Sequence, residues 1–156
     1  MGVRAVERWG DFHRSAPELA EAGERLMTSA RDGVAFLATT RRGGAPQLHP
    51  VIPRVVDSGL YVFIVNLSSK YQDLLRDGRY ALHALPGAEN REEFLIRGRA
   101  ALVADAETKT RVQTATGAGR MDFEVLFELM VSHGLRTTWA HWGEPGIWPT
   151  YTRWKG

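Results

Sequence analysis

Short apolar runs of strand length follow one another along most of this chain, each closed by a turn signal, with no long helix between them. Val34 to Thr40, Gln47 to Val56, Leu60 to Val65, Tyr80 to Leu85 and Phe94 to Val103 are such runs. Arg41-Arg42-Gly43-Gly44, Asp57-Ser58-Gly59 and Pro86-Gly87 punctuate them, through residues that accept positive φ or fix φ in advance. Parallel strands need crossovers of a dozen or more residues, usually helical, and this spacing does not supply them regularly. It predicts a mainly β protein: an antiparallel barrel of about six strands with peripheral α-helices. Pro50 and Pro53 remove ladder donors from the second run, which puts it at an edge or gives it a bulge. Gly98 inside the fifth run marks a bulge or a close backbone approach.

Three segments carry helical spacing. Residues 15–30 place Leu19, Ala22, Leu26 and Ala30 on one face, with a Ser15–Glu18 capping pattern, Pro17 in the first turn and Asp32-Gly33 as the stop. Tyr71, Leu74 and Leu75 predict a short helix, opened by a serine cap and closed at Asp77-Gly78. Asp105 caps a third helix to Thr116. Phe123 to Ser132 fits either period and reads as a strand, His133-Gly134 as a turn and Leu135 to Trp142 as a last strand. The remainder to Gly156 is a tail rich in Pro, Gly and Trp. We read 1–156 as a single domain, with a helical segment over 1–30 and a Trp-rich tail over 139–156.

Composition removes several function classes. The chain has no cysteine, which excludes disulfides, thiolate zinc sites, iron–sulfur clusters and cysteine nucleophiles. A formal net charge of +2 gives no reason to expect a nucleic-acid partner. The charged N-terminal region and the lack of any run of about 20 apolar residues predict a cytoplasmic protein without a membrane partner. His13, His49, His83, His133 and His141 are scattered without metal-ligand spacing, so no metal site is expected. No Gly-x-Ser-x-Gly elbow or Walker pattern occurs.

The strongest local feature is the junction Asn66-Leu67-Ser68-Ser69-Lys70, between a buried strand and a short helix. The first N–H groups of a helix lack internal partners and carry partial positive charge. Two hydroxyls and an ammonium at that point would complete a phosphate cradle. By themselves the same residues suit an N-cap serine and a solvated lysine slightly better. His49 stands on the second run near the basic pair Arg41-Arg42. Trp139, Trp142, Trp148 and Trp154 crowd the tail beside Arg153; tryptophans there suit subunit packing or contact with a planar cofactor.

Taken in order, Val34 to Thr40, Gly44 to Val51, Leu60 to Phe63, Ser68-Ser69-Lys70, Leu75 to Leu82 and Phe94 to Ala100 resemble the pyridoxamine-5′-phosphate-oxidase-like FMN-binding split β-barrel family. The resemblance covers about residues 30–104. It implies a homodimer with two cofactor sites at the subunit interface and a small-molecule substrate. His49, Pro50 and Val51 would run beside the flavin ring. Val65 and Asn66 would line the ring or ribityl chain, and Ser68, Ser69 and Lys70 would bind the phosphate. Trp142 and Arg153 would approach from the other subunit, with a spacing one residue longer than the family's.

Two departures shape the expected activity. The oxidase's terminal Arg-x-His-x-Arg segment is replaced by Pro149-Thr150-Tyr151-Thr152-Arg153, and the basic pair of the second strand is reduced to His49 and Pro53-Arg54. Vitamin B6 oxidation is therefore not expected. The His-Pro-Val strand and the Arg-, Ala- and Gly-rich composition look more like the related actinobacterial proteins, many of which use the deazaflavin coenzyme F-420. The implied function is an FMN- or deazaflavin-dependent oxidoreductase moving hydride between the cofactor and a small organic molecule. The alternatives are a non-catalytic cofactor carrier and a haem-binding split barrel with His49, His83 or His141 as axial ligand.

Overall fold

A computed structural model describes residues 5–29, 33–84 and 91–156. Helices α1 (Trp9–Ser15) and α2 (Pro17–Ser29) lead into strands β1 (Ala35–Thr40), β2 (Pro46–Val51), β3 (Arg54–Val56) and β4 (Gly59–Val65). Helix α3 (Ser69–Arg76), β5 (Arg79–Ala84), β6 (Glu92–Leu102), α4 (Ala106–Thr116), β7 (Glu124–Ala140) and β8 (Trp148–Lys155) complete the chain. The strands form one antiparallel sheet in the order β2-β1-β5-β6-β7-β4-β3, with β8 also on β7. Strand β7 is the spine. Residues 124–128 pair with β4 and residues 133–140 with β8, while β6 runs along the opposite edge. One long strand with two successive partners on one edge is what splits the barrel.

The mainly β, antiparallel, split-barrel expectation holds, and the strand count rises from about six to eight. The second run divides at Ile52-Pro53 into β2 and β3, the two last runs fuse into β7, and the tail forms β8. His133-Gly134 is not a turn: the pair lies inside β7, opposite Arg97 and Ile96. Gly134 is there for packing. A Cβ on it would come 3.1 Å from Leu19 and 3.2 Å from Phe12, so its absence lets α1 and α2 close on the sheet. Within the helical segment expected over 1–30, the spacing delimits only the helix over 15–30; α1 precedes it, and its Trp9 and Phe12 are buried and meet edge to face at 5.2 Å. Nor does Ser15 begin a capping box; it ends α1, and its hydroxyl donates to Phe12 O at 3.1 Å. The expected stops at Asp32 and at Pro86-Gly87 lie outside the described residues.

Other local expectations are met. β2 lies at one end of the sheet order, where a proline costs least. The β6–β7 register shifts between Arg97 and Gly98, and a Cβ on Gly98 would fall 1.8 Å from Met130 O. The bulge thus depends on a glycine. Ser68 and Asp105 cap α3 and α4 through their side-chain oxygens.

The main core fills the barrel with Leu37, Leu60, Ile64, Leu82, Ile96 and Leu129, closed over by α1 and α2. A second cluster of Val56, Tyr61, Val112 and Leu126 lies under α4. The outer face of the sheet is different. Cross-strand pairing aligns Pro50, Phe36, His83, Leu95, Leu135 and Arg153 in one row across six strands. The adjacent row is Leu48, Ala38, Ala81, Arg97, His133 and Lys155. All twelve are half-buried or exposed, so this mostly apolar middle has no cover among the described residues. No helix among the described residues is long and apolar enough to cross a membrane.

Candidate functional site

Polar side chains from β1, β2, the β1–β2 turn and α3 converge at one corner of the barrel. The turn is built by Arg41 N donating to Ala45 O at 2.9 Å and Gly44 N to Arg41 O at 2.8 Å, with Gly44 at φ +86°. It carries Arg41 and Arg42 to the start of α3. Ser68 is extended at φ −82° and ψ 153°; its hydroxyl donates to Val65 O at 2.7 Å and accepts from Tyr71 N at 3.3 Å. That hydroxyl belongs to the cap. Ser69, one residue on, donates to Gln47 Oε1 on β2 at 3.2 Å.

Lys70 stands on the first turn of α3, half-buried, and burial lowers its pKa below the ordinary lysine value. Among the described residues no carboxylate pairs with it. An ammonium withdrawn from water without a counter-charge is unfavourable, and a bound anion would relieve it.

Beneath Lys70 lies Asp73, 1% exposed. Its Oδ2 accepts from Thr39 Oγ1 at 2.9 Å, and its Oδ1 accepts from Arg76 Nη1 at 3.2 Å, with Arg41 Nε 3.7 Å from the same oxygen. Arg76 also donates to Thr40 O. Thr39 Oγ1 in turn lies 3.2 Å from His49 Nε2. Burial pushes the His49 pKa down, Lys70 and Arg41 push the same way, and Asp73 opposes them. A cavity of about 370 Å³ opens beside this network, lined by Arg41, Arg42, Ser69, Gln72, Asp73 and Arg76. Three guanidinium groups against one carboxylate leave it positive, which suits a phosphate better than a neutral ligand.

The corner therefore collects His49, Ser69 and Lys70, with Ser68 as its cap. The other expected site residues stand elsewhere. β2 alternates, so Val51 is buried in the barrel core while Pro50 faces the outer sheet surface. Val65, 38% exposed, ends β4. Asn66 N donates to Phe123 O at 2.8 Å, and its buried Oδ1 has no partner among the described residues. Trp142 lies edge to face with Trp139 at 5.4 Å, with the Arg91 guanidinium 5.2 Å over its ring. Arg153 projects from β8 with its guanidinium 4.8 Å over Tyr151, beside a hollow of about 250 Å³ above Leu95 and Leu135.

Thr39, Asp73, Arg76 and Gln47 were not singled out from the sequence. Asp73 was the available signal: it is an acid set directly before Leu74 on the inward face of a short amphipathic helix, three residues from Arg76. Among the described residues, no group of three His, Asp or Glu side chains is placed to hold a metal ion.

No protein-family model matches the sequence, and no curated protein aligns with it significantly. Solved structures do match. A haem-binding protein from Mycobacterium smegmatis superposes with a TM-score of 0.60 at 15% identity, over 81% of this chain and 55% of that one. This chain thus spans little more than half of that neighbour. A NimC/NimA family protein from Clostridium acetobutylicum gives 0.61 at 13% identity, over 85% and 92% of the two chains. An F420 reductase gives 0.52 at 14% identity, over 65% and 87%. At these identities the likeness is one of fold: the chain has the split barrel of the pyridoxamine-5′-phosphate-oxidase-like proteins.

Proposed function

We propose that this protein is an oxidoreductase that binds FMN or the deazaflavin F-420 and moves hydride between that cofactor and a small organic molecule. The observation that carries the reading is Lys70, half-buried with no carboxylate partner among the described residues and adjacent in sequence to Ser69, which lines a cavity with Arg41, Arg42 and Arg76. Ser69, Lys70 and the Arg41–Arg42 turn would hold the phosphate. The bound ring supplies the hydride chemistry. The chain contributes orientation and a partly dry corner, and no side-chain acid or base is required.

The reading includes a homodimer. Support comes from the outer sheet face, whose aligned rows put Phe36, Leu95 and Leu135 between Leu48, 65% exposed, at one edge and Arg153 at the other. Exposed apolar area of this continuity fits a partner surface, and a second copy would bring a Trp142 and an Arg153 from outside the chain. The haem alternative has less support. Among its three candidate ligands, His49 directs Nε2 at Thr39, His83 sits in the outer-face row, and His141 lies in a turn at φ +51°.

Absorbance and mass spectrometry of the protein as purified, followed by FMN and F-420 titration, test the proposal. We expect binding of at least one, and Lys70→Ala should weaken it by about 1.5–3 kcal/mol through loss of a charge-assisted bond to phosphate. A protein that takes up neither cofactor, or a variant with unchanged affinity, overturns it.

A further inference from the structure

The chain His49–Thr39–Asp73 determines where its protons sit. The Asp73 carboxylate accepts on both oxygens, from Thr39 at Oδ2 and from Arg76 at Oδ1. Thr39 has a single hydroxyl proton, and that proton is given to Asp73. Toward His49, 3.2 Å away, Thr39 Oγ1 can then act only as an acceptor. The imidazole must therefore donate from Nε2. A neutral imidazole carries one N–H and one lone pair, so its lone pair is on Nδ1.

We propose that Asp73, acting through Thr39, is a positioning residue that fixes His49 as the Nε2–H tautomer and reserves Nδ1 as a hydrogen-bond acceptor for an N–H group of the bound ligand. Thr39 and Asp73 are 2% and 1% exposed, so water does not compete for their protons. His49 itself is half-buried on β2 with Gln47, beside Ser69 and Lys70. Burial and the cations Lys70 and Arg41 favour its neutral form against the opposing effect of Asp73. Nδ1 lies across the ring from the Thr39 contact, and no described residue donates to it. The ligand half of the proposal rests on the flavin or deazaflavin reading, because those rings present an N–H edge; the tautomer half does not.

The test is long-range nitrogen–proton NMR correlation of the His49 ring in the cofactor-free protein at about pH 7.5, above the ordinary histidine range. The wild type should show the Nε2–H form. In Asp73→Asn the amide oxygen stays with Arg76 and Arg41, so its NH₂ group faces Thr39 and donates to it. Thr39 then donates to Nε2, and His49 should switch to the Nδ1–H form. Thr39→Val should give a mixture of tautomers and Thr39→Ser should restore the wild-type form, which reads the relay even if Asp73→Asn folds poorly. A mixed or Nδ1–H wild-type ring, or an unchanged tautomer in both Asp73→Asn and Thr39→Val, overturns the relay.

FMN and F-420 affinities measured on the same samples separate the two readings. A loss of about tenfold with Asp73→Asn and none with Thr39→Ser is expected, as for one hydrogen bond reversed. Wild type binding neither cofactor would sink the functional reading while the tautomer result stands. A switched tautomer with unchanged affinity would sink the acceptor role alone.

Discussion

The α3 corner and the β7–β8 ribbon both carry residues suited to a cofactor, yet they are built in opposite ways. At the corner, side chains from separate elements are tied to one another: Ser69 to Gln47, Thr39 to Asp73, His49 to Thr39. On the ribbon, Arg153 rests on Tyr151 and Trp142 on Trp139, neighbours two or three residues away. A preorganised corner can receive a ligand from one chain alone. Apart from the Arg91 guanidinium over Trp142, the ribbon's outward groups are held locally among the described residues, and they would gain a site only against another surface. The same ribbon has a second, inward role, since Trp154 lies 4.7 Å from Phe12 in the core.

Deleting residues 144–156 should produce the largest effect and should expose that double role. It strips β8 from β7 and removes the Trp154 packing against Phe12, a loss on the order of 3–5 kcal/mol by comparison with large aromatic truncations. That is most of the stability of a marginal domain, and chemical denaturation should show an unfolded or barely folded chain. Near wild-type stability would mean that the tail is an appendage and the split barrel ends at β7.

Leu135→Arg targets the outward half alone. Leu135 is half-buried over the hollow beside Arg153, on the face opposite the core, so folding should change by less than about 1 kcal/mol. An added cation in the middle of this face should nonetheless dissociate the proposed dimer, as sedimentation or light scattering would show, and weaken cofactor binding with it. A dimer that persists would move the interface off this face. Weakened binding in an intact dimer would instead make the hollow part of the ligand site.

The corner and the ribbon also differ in how far the sequence revealed them. Ser68-Ser69-Lys70 was readable because strand, cap and helix are local signals, and the cap at Ser68 has the expected form. Thr39 and Asp73 were not readable, since their pairing depends on β1 lying under α3, a relation 34 residues apart in sequence. Pro50 and Val51 could be placed near a ring by resemblance, but the period of two along β2 sends them to opposite faces and leaves His49 for the corner. Gly134 misled in the other direction. A glycine after a histidine resembles a turn, and only the approach of Leu19 and Phe12 explains why a strand needs one there.

The smallest effect concerns proton linkage at the corner, where burial together with Lys70 and Arg41 holds the His49 pKa below the ordinary value near 6.5, against Asp73. As pH falls through the ordinary value, the unfolded chain binds this proton before the folded one does. Stability contributed by His49 is therefore complete above that value and is lost as pH drops toward the folded pKa. His49→Gln keeps a polar partner for Thr39 and cannot titrate. The difference in unfolding free energy between wild type and this variant, free of cofactor, should be constant above about pH 7.5 and shrink toward pH 5. The other four histidines are common to both proteins and cancel. A flat difference would mean that burial and the two cations do not act on this ring, and the corner would then be no more preorganised than the ribbon.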